Sequence, residues 1–277
     1  SRKNQLSSLS TDVRNSMPLW LGAGIALAFL LIRRRNFLAG LVTAGEIAHK
    51  RNCTSFIPTA KAMAFTLLLA APFPAIAWFF YWRSGDMTPG VREGLRHVAG
   101  FLTFSILFKV IAHPHGLMVD HFRLSPERAG LIRAHLRWVI PLMVPFIFFA
   151  ISLPLDARDA SAGLLFFIGV LLVLSIFCCL LFRPSKRLSL WRGKAPNPLS
   201  RACFALGVAA PAMLILGAAA GYFASVQELR MQCMMSISLI LTALFVAAIL
   251  YRLILVSRRR LAVHQALERR AAAISQT

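Results

Sequence analysis

The residues best suited to chemistry in this chain are His113, His115, Asp120 and His121. A His-x-His pair sets two imidazoles on one side of an extended segment, and imidazole with carboxylate is metal-ligand chemistry. The same residues also read as solvated or interfacial histidines beside a cationic loop, because Pro114 and Gly116 mark a turn and no clear further ligand set accompanies them. Elsewhere reactive groups are sparse. No Asp or Glu lies deep in an apolar stretch, Glu93 standing only at the mouth of one, which argues against proton-coupled transport. No Ser/His or paired-Asp pattern suggests intramembrane proteolysis, and the last apolar stretch holds no lysine for a retinal Schiff base. The five cysteines, Cys53, Cys178, Cys179, Cys203 and Cys233, lack metal-ligand spacing and read as small buried hydrophobes. The chain is therefore read as no enzyme, with no catalytic, cofactor or metal site.

What must position these residues is a membrane. The 277 residues are 58% hydrophobic with a mean hydropathy of +0.67. Apolar runs long enough to cross a bilayer recur along the chain. The expected fold is all-α, a polytopic bundle of seven transmembrane helices at residues 17–32, 59–82, 91–112, 138–153, 162–182, 201–224 and 231–256. Residues 1–16 form an outer juxtamembrane tail, 17–257 the membrane module and 258–277 a basic cytoplasmic helix. Net charge is +21, and the cations bracket apolar spans, so the acidic partner is phospholipid rather than nucleic acid. With Ser1 outside, the inner side holds 23 of the 31 cations but only 4 of the 10 acids. The positive-inside rule then places the N-terminus outside and the C-terminus in the cytoplasm. The start at Ser1 and the stop after a basic segment suggest a region excised from a longer protein.

The inner connections are cationic with apolar teeth. In the segment from His121 to Phe146, Leu131, Ile132 and Leu136 alternate with Arg128, Arg133 and Arg137, which suits a helix lying at the headgroups before a span begins at Trp138. A second loop carries Arg183, Lys186, Arg187, Arg192 and Lys194 around Leu188, Leu190 and Trp191. These eight cations are the candidate anionic-lipid contacts; the plainer alternative is that they only set orientation. Lys109 and Arg252, near inner helix ends, are expected to snorkel to the headgroups, a role in an ion path being the alternative. Pro72, Pro74, Pro141, Pro145 and Pro211 fall inside spans and are the candidate hinges, either compliant or static. Gly217 and Gly221 form a GxxxG that permits close helix packing.

Three stretches carry a resemblance: HFRLSPERAGLIRAHLRWVIPLMVPF, SRRRLAVHQALERRAAA at residues 257–273, and the proline-centred LLLAAPFPAIAWFF. From about residue 17 to 273 the chain resembles the additional inner-membrane helices of the large, multi-helix branch of the small-conductance mechanosensitive (MscS-type) channel family. That branch includes the potassium-dependent (MscK-type) and miniconductance channels. The resemblance implies a tension-sensing, lipid-contacting module of a bacterial inner-membrane channel that releases ions and osmolytes on hypoosmotic shock. It also implies a homoheptamer, a large periplasmic region before the module, and pore helices with a cytoplasmic vestibule after it. The sequence contains no glycine- and alanine-ridged pore helix and no β-rich vestibule. Two other readings stand beside it: a membrane transporter or enzyme using the His113–His121 cluster, and a passive scaffold.

Overall fold

An apolar chain in lipid must satisfy its backbone hydrogen bonds internally, and helices do so within one segment. In a computed structural model of the chain, residues 21–49, 55–122, 124–153, 160–182 and 198–274 are described, and every regular element among them is helical. In order these are α1 (Leu21–Ile32), α2 (Arg34–His49), α3 (Ile57–Ala70), α4 (Pro72–Arg83), α5 (Pro89–Ile111), α6 (Pro126–Ser152), α7 (Ala160–Phe182), α8 (Pro198–Ala219) and α9 (Phe223–Ile274). A 3₁₀ turn at Ser84–Asp86 and a π-helical turn at Leu117–His121 complete them.

Among the described residues, four helices are long and apolar enough to cross a membrane: Pro89–Ile111, Pro126–Ser152, Ala162–Phe182 and Phe223–Arg269. The pair α3–α4 adds a fifth if its two halves form one broken span. The first and sixth expected spans correspond to the shorter apolar helices Leu21–Ile32 and Phe204–Ala219. The fourth expected span needs a correction. The basic segment before Trp138 is not a separate helix: it is the first turns of α6, which runs unbroken from Pro126 to Ser152. Its start has a local cause. Pro126 at the first helical position lacks an N–H that would be an orphan there anyway, and Glu127 complements the positive helix end.

Successive helices pack side by side, α4 on α5, α5 on α6, α6 on α7 and α7 on α8. The pairs are antiparallel: Gly90 and Gly94 at the start of α5 sit against Ser152 at the end of α6. Apolar clusters bridge these contacts. Val98, Val139, Met143 and Val170 join α5, α6 and α7, and Leu171, Leu214 and Val226 join α7, α8 and α9. A separate cluster of Leu41, Ala44, Ala62, Ile111 and Leu117 binds α2, α3, the end of α5 and the π turn. Small residues allow these approaches, since a Cβ on Gly169 would lie 2.5 Å from the Phe146 ring.

The GxxxG reading is also corrected. Gly221 is not inside a helix: α8 ends at Ala219, and Gly221 has φ of 94°. Tyr222 N–H donates to Gly217 O (3.1 Å) and Gly221 N–H to Ala218 O (3.2 Å), the paired bonds of a glycine-terminated helix end. Gly217 meanwhile faces Val226, so both glycines serve the tight turn from α8 into α9.

Candidate functional site

The second span breaks where its prolines stand. Pro72 and Pro74 cannot donate to the carbonyls of Leu68 and Ala70, and α3 and α4 meet at Ala71 bent by 52°. Ala71 itself keeps helical angles, φ −58° and ψ −39°, and its N–H still reaches Leu67 O at 2.9 Å. Pro72 and Pro74 are buried. Pro141 and Pro145 are exposed, one turn apart, inside the unbroken α6. Pro211 is buried inside α8.

Cations gather at the start of α2, in the last turn of α5 and in the first half of α6. Arg133 is half-buried and Arg137 exposed on α6, four residues and so one turn apart. Arg128 is half-buried near the start of the same helix. Lys109, half-buried, stands in the last turn of α5. Arg183, Lys186, Arg187, Arg192 and Lys194 lie outside the described residues.

His113, His115 and Asp120 stay in contact, while His121 bonds to another helix. His121 is buried, and its Nδ1 shares a 3.1 Å hydrogen bond with Thr59 Oγ1 on α3. Asp120 is also buried, its carboxylate seated where a side chain on Gly45 of α2 would go. His115 stays exposed, with Nδ1 3.8 Å from Asp120 Oδ2. His113 accepts the His115 N–H at its Nδ1 (3.3 Å), and burial, reinforced by the neighbouring Arg133 charge, pushes its pKa down to about 4. Among the described residues no three His, Cys, Asp or Glu side chains are grouped to hold a metal. The π turn joins α2, α3 and the end of α5.

Two contacts had no signal in the sequence. Arg252 does not snorkel: only 4% of it is exposed, and its Nη2 donates to Ala48 O at 3.2 Å, tying α9 to the C-terminal end of α2. A cation there meets the carbonyl-rich, negative end of that helix. Phe245 supports the same contact edge-on against Phe122, with centroids 5.8 Å apart. Toward the other end of α9, the Arg230 guanidinium lies 5.6 Å from the centre of the Phe167 ring. It borders a small cavity lined also by Ile147, Ile151 and Gln227.

The aromatic side chains on α4 and α5 mark a second edge. Trp78 Nε1 donates to Thr103 Oγ1 at 2.9 Å, Arg92 lies over the Tyr81 ring, and Trp82 is exposed. Amphipathic rings beside apolar helices suit the membrane–water boundary. Leu165, Leu172, Leu216, Leu239 and Leu244 are exposed on the helix surfaces, a coat that water would disfavour and lipid accepts.

Helices of spanning length, an apolar exterior, a proline-broken span and clustered cations define a multi-pass membrane module. The chain belongs to the family described as mechanosensitive ion channel inner membrane domain 1, whose family model matches residues 17–277. It is a multi-pass inner-membrane protein and the membrane module of a mechanosensitive channel. It is similar to the miniconductance mechanosensitive channel MscM of Escherichia coli (strain K12), with 26% identity over 275 residues, covering 96% of this chain and 25% of that protein. The chain thus spans about a quarter of the length of that curated relative. No solved structure matches.

Proposed function

We propose that this module senses membrane tension for a mechanosensitive channel and contacts lipid on most of its surface. The observation that carries the reading is the 52° break at Ala71 within a chain of otherwise continuous apolar helices. Tension favours the conformation with the larger membrane footprint, so a sensor must differ in shape between states. A bent span whose carbonyls at Leu68 and Ala70 lack their usual proline-position donors can change its angle at low cost. Pro72 and Pro74 are the principal hinge; Pro141, Pro145 and Pro211 are secondary points of compliance.

The module crosses the membrane seven times, α1 and α8 supplying the two shorter crossings, with the N-terminus outside and the C-terminus in the cytoplasm. The charge asymmetry of the loops supports this orientation. Arg128, Arg133, Arg137, Arg183, Lys186, Arg187, Arg192 and Lys194 hold it to the anionic inner leaflet, each contributing about 1 kcal/mol near such a surface. The parent channel is a homo-oligomer, a heptamer by family resemblance, and passes ions and osmolytes under hypoosmotic stress. The module itself catalyses no reaction.

Patch-clamp recording of the full-length channel tests the reading. Replacing both Pro72 and Pro74 with alanine removes the cause of the bend and is expected to raise the gating tension. An unchanged threshold in a correctly inserted channel counts against the hinge and favours a passive scaffold.

A further inference from the structure

We infer that Arg230, with Gln227 beside it, binds the phosphate of a membrane phospholipid, one oxygen of which enters the cavity between α6, α7 and α9. Ala150 and Ile151 of α6, Phe167 of α7, and Gln227 and Arg230 of α9 line that cavity. Its free space is about 10 Å³, room for a single water-sized group. Among the described residues that line it, Gln227 and Arg230 carry the only polar side chains. The sequence sets Arg230 in a loop before the last span, but the fold places it two turns inside α9, which starts at Phe223.

Arg230 is a cation held without an anion. None of the ion pairs found among the described residues includes it. Glu228, the nearest acid along the chain, accepts from Gln232 Nε2 instead, at 3.3 Å. The Nε of Arg230 is enclosed, with no hydrogen-bond partner among the described residues. An enclosed charged donor without an acceptor is costly, and an incoming acceptor recovers that cost.

The guanidinium is already placed for this. It lies 5.6 Å from the centre of the Phe167 ring, which is buried and braced edge-on by Phe223 at 5.2 Å. A ring face attracts the cation and leaves its in-plane N–H donors available. The guanidinium fork presents Nε–H and one Nη–H in parallel, and two phosphate oxygens match that pair. One oxygen takes Nε–H in the cavity; the second takes Nη–H at its rim, where the Gln227 amide adds a further donor. Gln227 and Arg230 are both half-buried, so each also reaches the surface. Leu165 and Leu172 on α7 and Leu229 on α9 are exposed, an apolar coat for lipid chains. A hydrated free anion gains nothing from that coat, whereas a phospholipid brings phosphate and chain together.

The inference rests on the module lying in the inner membrane and not on its sensing of tension, so gating is not the readout. The full-length channel is delipidated in a maltoside detergent, which carries no phosphate, and phosphatidylglycerol or inorganic phosphate is added back. Native mass spectrometry measures binding, and cryo-EM locates it. One tightly bound phosphatidylglycerol per subunit is expected, with headgroup density at Arg230. Excess inorganic phosphate should neither bind there nor displace the lipid. Arg230→Gln is expected to weaken lipid binding at least tenfold, and Arg230→Lys less, because it keeps the charge and loses the fork. Ala150→Leu fills the cavity, leaves the arginine in place and should also weaken binding; it decides the matter if Arg230→Gln fails to insert. Arg96→Gln, on an exposed cation of α5 already paired with Glu93, should change nothing. Four results would each overturn the site: no density at Arg230, density there from a side chain of residues 154–159, occupancy by inorganic phosphate alone, or equal weakening by Arg96→Gln.

Discussion

Two regions of this module are built on opposite principles. Where α2, α3 and the π turn meet, buried side chains hold the elements together: Leu41 is fully buried, Asp120 fills the space above Gly45, and His121 is bonded to Thr59. In α9 only 11% of the apolar span is buried, against 28% in α5, α6 and α7. At 1.5 Å per residue its 52 residues reach about 78 Å, far beyond a bilayer core of about 30 Å. Yet the two regions touch, through Phe245 on Phe122 and Arg252 on Ala48. A well-buried node and a long, lightly packed helix thus meet at a ring contact and one hydrogen bond.

The contrast is sharpest for leucine. Leu41→Ala removes a side chain with no exposure and should destabilise the buried node by about 2–5 kcal/mol. Leu244→Ala on α9, where the side chain is 61% exposed, should change stability by less than about 0.5 kcal/mol. Thermal unfolding in nanodiscs measures both, and equal effects would erase the distinction. Gly45→Val tests the same node by overfilling it. The added side chain meets the Asp120 carboxylate, for an expected cost of about 1–3 kcal/mol and faster hydrogen exchange through residues 117–121.

Acid should loosen that end of the molecule more gently. His113 stays neutral in the fold down to about pH 4, whereas an unfolded histidine takes its proton near pH 6.5. Its contribution is therefore complete above pH 6.5 and declines as the pH falls toward 4. Hydrogen exchange around the π turn should accelerate across that window, and His113→Gln should remove the part that His113 supplies. Exchange in α9 should be unaffected by the same change.

Much of the fold was legible because lipid imposes a simple rule on apolar runs. The long helices, the proline-broken span and the absence of intramembrane carboxylates all follow from local composition. The limits of that legibility are instructive. The basic start of α6 looked interfacial because its amphipathic pattern is the same whether a helix lies flat or continues inward; Pro126 and Glu127 set the beginning, and nothing after them ends it. Gly217 and Gly221 matched a packing motif, but φ of 94° at Gly221 makes it a helix stop. The contacts of Arg252 with Ala48 and of Asp120 with Gly45 depend on residues far apart in the chain, and no local spacing announces them.

The central claim is that this helical module changes shape in lipid as tension rises. Pulsed EPR on the full-length channel tests it most directly, with spin labels replacing the exposed Trp82 at the end of α4 and the exposed Leu261 on α9. Adding lysophospholipid to one leaflet of the reconstituted membrane should shift the distance distribution between the labels as the channel opens. A distribution that stays the same in shut and conducting channels would contradict the account.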